Sequence, residues 1–260
     1  MFLKKQGVKL KTPIEIEKMR NAGKVVGEIL NDLSEIIRPG ITTKDIDIFS
    51  EKCIRLSKMK PAFLGIIGRS YPFPATTCVS VNNEVVHGIP NSLKVLEYGD
   101  LVSVDIGVVC EGYYGDAAKT YVVGSCVSET AVRLIKIAEL SLHEGISQIL
   151  PGKKLGDVSS AIQRTVETNG FSVVRDFVGH GIGVSLHEEP QIPNFGEANT
   201  GIKLIPGMVL AIEPMVNVGD YQVCTESDGW TVTTKDGSLS AHFEHTIAVT
   251  ENGYEILTKV

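Results

Sequence analysis

The chain has 260 residues and a formal net charge of −6, and hydrophobic residues make up 43% of it. This composition is typical of one or two globular domains and excludes a disordered or fibrous chain. The acidic balance argues against binding to nucleic acid by phosphate neutralisation, and no apolar run reaches the roughly 18–20 residues that cross a bilayer. The N-terminal residues lack the apolar core of a secretory signal, and the five cysteines form no C-x-x-C pair. We therefore expect a cytoplasmic chain without disulfides or a cysteine zinc finger.

The first half of the chain predicts two helices followed by strands. A capping box formed by Thr12 and Glu15, with Pro13 in the first turn, marks the start of a helix that stops near Pro39. A second helix is predicted over residues 43–59. Strands are predicted over residues 77–87, 101–109 and 113–123.

The second half repeats this order of elements. Helices are predicted from Ser128 to a point before Pro151, and over residues 155–169, and strands fill most of the rest. Residues 99–105 resemble residues 207–213, because each stretch is an apolar strand that ends in an acid. Matching stretches in the same order indicate an internal duplication.

The repeated order predicts an α+β fold with duplicated halves, in which an antiparallel sheet is surrounded by helices. No linker rich in Pro, Gly or Ser separates the halves, which we place at about 13–124 and 125–260. We therefore expect a single domain over residues 1–260 with one shared core. Chance similarity between amphipathic elements is the alternative interpretation.

Asp105 is the first residue in the chain that we identify as a candidate for a functional site. It lies within a strand predicted to be buried, where a lone carboxylate costs several kcal/mol unless it is paired, neutralised or bound to a metal. A hairpin that turns at Glu111 and Gly112 would set Gly107 opposite Asp116. Asp105 and Asp116 would then be diagonal neighbours on one face, roughly 7–8 Å apart, and could reach one ion or a pair of ions.

The second half carries a matching pair of acids. Glu213 ends one predicted strand, and Glu244 lies inside another over residues 241–249. If the duplication is real, Glu213 corresponds to Asp105 and Glu244 to Asp116. Four converging carboxylates repel one another and bind protons unless divalent cations neutralise them. The alternative is a set of exposed strand positions or buried salt bridges.

Three histidines beside glycine or proline are further candidates. His180 is flanked by glycines, and as a metal ligand its imidazole would shift the preference from magnesium or calcium toward transition metals. His87 and His187 each lie three residues before a proline and could bind metal, contact substrate or stabilise a turn. Structural roles are expected for His143, His242 and His245.

Taken together, these motifs resemble those of type 1 methionine aminopeptidases. The resemblance runs from about residue 13 to the C-terminus. It rests on Val86-His87-Gly88-Ile89-Pro90, on Asp105 and Asp116, on Gly179-His180-Gly181-Ile182-Gly183, on His187-Glu188-Glu189-Pro190, on Ile212-Glu213-Pro214-Met215 and on Phe243-Glu244-His245-Thr246-Ile247. The short segment before the first helix, and the lack of a helical insertion between His180 and Glu213, suggest the compact bacterial form.

The resemblance implies a pita-bread fold and the removal of the initiator methionine from nascent polypeptides whose second residue is small. It implies two divalent ions of cobalt, manganese, iron or zinc, held by Asp105, Asp116, His180, Glu213 and Glu244. Glu213 would also carry a proton from the attacking water to the leaving amine. His187 would stabilise the oxyanion, and His87 would form a hydrogen bond with the scissile amide nitrogen. It further implies a cytoplasmic enzyme that acts near ribosomes. We expect a monomer with no nucleic acid or membrane partner.

The methionine side chain requires an apolar slot. Trp230 and Cys78 match pocket-wall positions of the family, and Tyr71 and Phe73 are further candidate walls. Leu186 stands where many relatives have phenylalanine, so the sequence leaves the shape of the pocket undetermined. An Xaa-Pro aminopeptidase or dipeptidase on the same fold, and a non-catalytic binding protein of this fold, are the alternatives.

Overall fold

A computed structural model describes residues 7–68, 71–125 and 128–259. Cys126 lies outside these ranges, and the cysteines within them are free thiols. No helix in these ranges combines the length and the apolar character needed to cross a bilayer.

Four helices occupy the described ranges, and three of them begin at a side-chain cap. They are α1 (Pro13–Ile36), α2 (Thr43–Leu56), α3 (Glu129–Ser147) and α4 (Leu155–Thr168). Thr12, Thr42 and Ser128 each accept a hydrogen bond from a backbone N–H of the first helical turn, which satisfies a donor that has no partner inside the helix. The first helix therefore begins where the capping box predicted. The second ends at Leu56, three residues earlier than expected.

The strands are short apart from one long hairpin. In chain order they are β1 (Lys60–Pro61), β2 (Thr77–Val81), β3 (Glu84–Val86), β4 (Leu101–Cys110), β5 (Tyr113–Val122), β6 (Ser172–Val173), β7 (Gly179–Gly181), β8 (Glu188–Ile192), β9 (Val209–Ile212), β10 (Met215–Asn217), β11 (Val223–Thr225), β12 (Val232–Thr234), β13 (Ser240–His242), β14 (His245–Thr250) and β15 (Gly253–Ile256).

All strand pairs are antiparallel, and they form two larger and two smaller sheets. In the first larger sheet, β4 pairs with β5 along one edge and with β1 and β2 along the other. The second larger sheet has the order β15-β14-β9-β7-β8. The three-stranded sheets have the orders β13-β10-β6 and β11-β12-β3. The predicted α+β class with antiparallel sheets is confirmed.

The hairpin of β4 and β5 has the predicted register. Gly107 is opposite Asp116, and Cys110 is opposite Tyr113. Two other strand predictions need correction. The strand predicted over 77–87 is two strands, because Asn82 adopts a left-handed φ of 58° and turns the chain between them. The strand predicted over 241–249 is β13 and β14, with Glu244 in the break between them.

The helices cover the outer faces of the sheets. α1 packs against β4 and β5, and α3 packs against α4 and β13. Close approach of α1 depends on Gly23, where an added Cβ would lie 2.4 Å from the carbonyl oxygen of Leu257. On β5, a Cβ at Gly115 would lie 2.7 Å from the backbone nitrogen of Gly23. The inner faces of the sheets are left for the cluster of acids.

Candidate metal centre and substrate pocket

Asp105 and Asp116 project from the two strands of the long hairpin. Asp105 is opposite Ala118 and Asp116 is opposite Gly107, so the two carboxylates are diagonal neighbours on one face, as the register predicted. Thr246 of β14 holds the second strand in place. Its hydroxyl accepts a hydrogen bond from the backbone N–H of Asp116 at 3.0 Å and donates to the carbonyl oxygen of the same residue at 2.7 Å.

Glu213 and Glu244 lie where a pair of strands separates. Ile212, the last residue of β9, is opposite His245, the first residue of β14. The next residue on each strand toward the break is therefore a glutamate. Beyond them the chains continue as β10 and β13 in another sheet. The two glutamates thus face the hairpin acids from the gap between two sheets.

His180 lies in the middle of β7, opposite Ala211 of β9. Its Nδ1 is 2.9 Å from the carbonyl oxygen of Gly181, and its Nε2 is 3.4 Å from Oε1 of Glu213. The flanking glycines are required by close backbones. A Cβ at Gly179 would lie 2.4 Å from the carbonyl oxygen of Ala211, and one at Gly181 would lie 2.2 Å from that of Glu189.

These side chains form the polar floor of a cavity of about 120 Å³. Its walls are mostly apolar, and Trp230 forms one of them by packing edge-on against Phe73, with ring centroids 5.1 Å apart. The residues that line it are Phe63, Ile66, Phe73, Cys78, His87, Asp105, Asp116, His180, Leu186, His187, Glu213, Trp230 and Glu244. A small apolar pocket over a cluster of acids fits a ligand with an apolar side chain and a charged end.

His87 and His187 both line this cavity. The ring of His187 is perpendicular to that of His180, with centroids 4.4 Å apart. His87 has a left-handed φ of 60°, and its ring is edge-on to Phe177 and to Trp230 at 5.5 and 6.2 Å. A positive φ is uncommon outside glycine, so the surrounding structure holds His87 in a specific orientation.

Tyr71, a predicted pocket residue, is not among the residues that line this cavity. It supports the wall from behind. Its hydroxyl donates to the carbonyl oxygen of Asp228 at 2.7 Å, and its own carbonyl accepts from the indole N–H of Trp230 at 3.2 Å. Both hydrogen bonds turn Tyr71 toward the Trp230 loop.

Phe63 and Ile66 line the cavity but were not among the predicted residues. Their apolar character is shared with many core positions, and no motif surrounds them. Sequence alone therefore carries no signal that separates them from the core.

The cluster of acids is held at high electrostatic cost. Asp116 and Glu244 are 4% and 2% exposed. One oxygen each of Asp105, Asp116 and Glu244 is buried with no hydrogen-bond partner in the described part of the chain. Burial raises the pKa of Asp105 to about 7. Burial, with repulsion from the neighbouring acids, raises the pKa values of Asp116, Glu213 and Glu244 well above their usual range.

The imidazoles shift in the opposite direction. Burial, with repulsion from His187, lowers the pKa values of His180 and His87 to about 4. Partial burial also lowers the pKa of His187. All three rings are therefore neutral near pH 7 and have a nitrogen lone pair available to bind a metal or accept a proton.

The comparisons with known proteins agree with this arrangement. Residues 17–251 match the family described as Metallopeptidase family M24. The chain is 53% identical to the methionine aminopeptidase of Clostridium perfringens over 96% of this chain and 98% of that one. It is 50% identical to methionine aminopeptidase 1 of Bacillus subtilis, again over 96% of this chain and 98% of the relative.

A solved structure gives the same result. The crystal structure of the methionine aminopeptidase of Thermotoga maritima superposes with a TM-score of 0.94 at 51% identity, covering 98% of this chain and 100% of that one. The chain belongs to metallopeptidase family M24, among its methionine aminopeptidases. The expected pita-bread fold is thereby confirmed.

A metallopeptidase of family M24 requires a site that accepts a divalent cation, and the residues present fit one. One ligand atom each from Asp116, His180 and Glu244 lies within 4.8 Å of the others, and all three residues are buried. The buried carboxylate oxygens without partners need either protons or cations. Oxygen ligands combined with an imidazole favour a transition metal over magnesium or calcium.

The three remaining histidines lie outside the cavity lining of this M24 peptidase. His245 turns away from Glu244, since its Nδ1 is 2.8 Å from the hydroxyl of Thr258 and its ring centroid is 6.4 Å from that of His143. His242 is buried in β13. These positions agree with the structural roles expected for them.

Proposed function

We propose that this chain removes the N-terminal methionine of nascent polypeptides whose second residue is small. The observation that carries the proposal is the convergence of Asp116, His180 and Glu244 within 4.8 Å on the floor of a cavity that also has apolar walls. The methionine aminopeptidases that the chain resembles over nearly its full length support the same reaction. The reaction takes place in the cytoplasm near ribosomes, and the chain acts as a monomer.

Asp105, Asp116, His180, Glu213 and Glu244 would hold two divalent ions. Asp105, Asp116 and Glu244 would supply carboxylate ligands, and His180 and Glu213 would supply an imidazole and a further carboxylate. The unpartnered oxygens of Asp105, Asp116 and Glu244 support this assignment. When bound, the ions lower the pKa of a water molecule and withdraw electron density from the scissile carbonyl.

Glu213 transfers the proton. Its side chain is 14% exposed and contacts His180, and its pKa is raised by burial and by repulsion from Asp105 and Asp116. A carboxylate in such a setting accepts a proton more readily than one in water. Glu213 takes a proton from the attacking water and delivers it to the leaving amine.

His187 and His87 bind the peptide bond that is cleaved. His187 lies beside His180, and as a neutral imidazole it can donate an N–H to the oxygen that becomes negative during attack. His87 faces the same cavity from the Trp230 side and bonds the scissile amide nitrogen. The fixed backbone of His87 keeps this contact oriented without further ordering.

The cavity selects methionine by shape and polarity. An unbranched thioether side chain fits between Phe63, Phe73 and Trp230, with Cys78 and Leu186 at the remaining walls. The free α-amine of the substrate then lies near the carboxylates. A chain interior has no charged amine at that position, so the site favours cleavage at an N-terminus over cleavage within a chain.

The experiment that tests this function is methionine release from a Met-Ala-Ser peptide. The protein is stripped with a chelator and titrated with Mn²⁺ or Co²⁺, with a Leu-Pro peptide assayed in parallel. Metal-dependent release of methionine, with little cleavage of Leu-Pro, is the expected result. Cleavage of Leu-Pro alone would favour an Xaa-Pro peptidase. Failure of the folded, metal-loaded protein on both peptides would favour a non-catalytic binding protein.

A further inference from the structure

A buried ion pair lies next to the substrate side of the cavity and has no part in the function proposed above. Nζ of Lys11 is 2.6 Å from Oε2 of Glu188, and the two side chains are 5% and 4% exposed. Lys11 comes from the segment before α1, whereas Glu188 begins β8, directly after His187. A buried ion pair is costly to desolvate. Its position directly after His187 indicates that it contributes to the geometry of the site.

Glu188 shapes the loop that joins β7 to β8. Its Oε1 accepts hydrogen bonds from the backbone N–H groups of Val184 at 2.9 Å and Ser185 at 3.2 Å. Glu188 is also opposite Gly181 in the pairing of β7 with β8. Its side chain therefore points back into the loop between these two strands. The carboxylate thus stabilises the loop conformation through hydrogen bonds with its backbone.

Lys11 supplies the positive charge that this arrangement needs. Its backbone N–H donates to the carbonyl oxygen of Gly207 at 2.7 Å, and its ammonium also donates to the carbonyl oxygen of Lys9 at 2.9 Å. The side chain runs across Gly183, where an added Cβ would lie 2.3 Å from Cε of Lys11. Without Lys11, the carboxylate of Glu188 would be a buried charge without a counter-charge and would leave the loop or bind a proton.

The same loop carries two residues of the cavity. Leu186 and His187 lie between the amides that Glu188 holds and Glu188 itself. His180 lies on β7, which is paired with β9 on one side and with β8 on the other. The ion pair is thus closest in sequence to Leu186 and His187, while pairing with β9 gives His180 a second support.

We propose that the buried Lys11–Glu188 pair is a positioning element that sets the 182–187 loop and thereby places Leu186 and His187 against the substrate. The proposal rests on the proposed function. It makes Lys11 and Glu188 positioning residues, which act through Leu186 and His187 without touching the substrate.

The test compares Glu188→Gln and Lys11→Met with the wild-type chain, each saturated with Mn²⁺. We expect kcat/KM for Met-Ala-Ser to fall about tenfold to a hundredfold, since small misplacements near a reacting centre have effects of this size. Mn²⁺ stoichiometry and affinity are expected to stay unchanged. Lys11→Arg, which keeps the charge, is expected to retain most of the activity. The double variant is expected to be no worse than either single variant, because the two residues act as one unit.

Two further readouts do not depend on turnover. Amide hydrogen exchange at Val184 and Ser185 is expected to accelerate in both variants, because an uncharged amide oxygen is a weaker acceptor than the carboxylate, and because a carboxylate that has lost its counter-charge leaves the loop. Binding of L-methionine, followed by the fluorescence of Trp230, the one tryptophan of the sequence, is expected to weaken. If Glu188→Gln does not fold, Glu188→Asp keeps the charge but is too short to reach both Lys11 and the loop amides, and it is expected to show the same losses.

The matched control is Glu189→Gln, which makes the same change at the exposed neighbouring position. Wild-type kcat/KM and exchange rates are expected for it. The proposal is overturned if Glu188→Gln matches this control, or if its loss of activity comes with loss of Mn²⁺ binding and unchanged amide exchange in the loop. Failure of the wild-type chain to release methionine would instead overturn the proposed function, while the exchange measurement would still decide the role of the pair.

Discussion

Ala118 of β5 forms an isolated antiparallel bridge with Glu244, which lies in the break between β13 and β14. The backbone N–H of Glu244 donates to the carbonyl oxygen of Ala118 at 2.9 Å, and the reverse hydrogen bond measures 3.3 Å. Because side chains alternate along a strand, Asp116 lies on the same face of β5 as Ala118. The bridge therefore holds Glu244 beside Asp116. Two backbone hydrogen bonds thus stabilise a contact between carboxylates that would otherwise repel each other.

Replacing Glu213, the proposed proton carrier, is expected to lower the catalytic rate without unfolding the protein. Glu213→Gln keeps the size of the side chain and one carbonyl oxygen but cannot carry the proton. We expect kcat for Met-Ala-Ser to fall by roughly 10²–10⁴, the usual range for loss of a general acid or base. The measurement is steady-state kinetics at saturating Mn²⁺, with circular dichroism to check the fold.

Glu226→Gln is the control for this substitution, because Glu226 is exposed and lies outside the cavity lining. Near wild-type kcat is expected for it. Activity of Glu213→Gln within about threefold of wild type would assign the proton transfer to another group.

Metal binding is expected to release protons. In the metal-free protein the pKa of Asp105 is raised to about 7, and those of Asp116, Glu213 and Glu244 are raised further above their usual range. His180, with a pKa lowered to about 4, stays neutral between pH 6 and 8 and adds no proton of its own. Metal binds the deprotonated carboxylates, so affinity rises as pH rises.

Asp105 alone would make Mn²⁺ binding roughly tenfold tighter at pH 8 than at pH 6, because its deprotonated fraction increases by about that factor. Titration calorimetry in two buffers of different ionisation enthalpy measures both the affinity and the number of protons released. Equal affinity at the two pH values, with no proton release, would show that the carboxylates are ionised before the metal arrives.

The local part of the site could be predicted from the sequence. Asp105 and Asp116 belong to one hairpin, and alternation along two strands was enough to place them on the same face with the correct register. The capping box at Thr12 was equally readable, because its signal lies within four residues. The division of the chain into duplicated halves stays a prediction.

The rest depends on contacts that are remote in sequence. Glu244 lies in a break between strands because it bridges to Ala118, and no local pattern around 241–249 encodes that break. Tyr71 and Phe63 are both aromatic residues of one loop region. Phe63 lines the cavity, whereas Tyr71 forms hydrogen bonds with the Trp230 loop, which is more than 150 residues away in the sequence.

Asp47 of α2 is expected to be important for stability although it is far from the reaction. Its Oδ1 accepts hydrogen bonds from the backbone N–H groups of Thr76 and Thr77 and from the hydroxyl of Thr77, at 2.9 to 3.1 Å. Its side chain is 2% exposed and pairs with Lys44. Asp47→Ala leaves those buried donors without a partner and should lower the free energy of unfolding by about 2–4 kcal/mol.

Urea denaturation followed by Trp230 fluorescence measures this loss. The comparison variant is Glu51→Ala on the same helix, whose pair with Arg55 is largely exposed and should contribute at most about 0.5 kcal/mol. Equal midpoints for the two variants would mean that the buried hydrogen bonds of Asp47 add nothing to stability. Thr77 directly precedes Cys78, which lines the pocket. We therefore also expect a rise in KM for Met-Ala-Ser in Asp47→Ala.

Gly68 controls the position of the Trp230 wall. A Cβ added at Gly68 would lie 2.3 Å from Cζ2 of Trp230, so the indole ring must move in Gly68→Ala. The residues proposed to hold the metal come from other segments of the chain, and we expect them to keep their positions. We therefore expect KM for Met-Ala-Ser to rise severalfold with little change in kcat, since loss of binding shared by substrate and transition state affects KM alone.

The displaced indole gives an independent signal. Because Trp230 is the one tryptophan of the sequence, a shift in its emission reports the movement directly. Gly7→Ala, where an added Cβ meets nothing within 4 Å, is expected to match the wild type in both emission and KM. If Gly68→Ala shifts the emission but leaves KM unchanged, then Trp230 does not contact the methionine side chain, and Phe63 and Phe73 must form the selective wall.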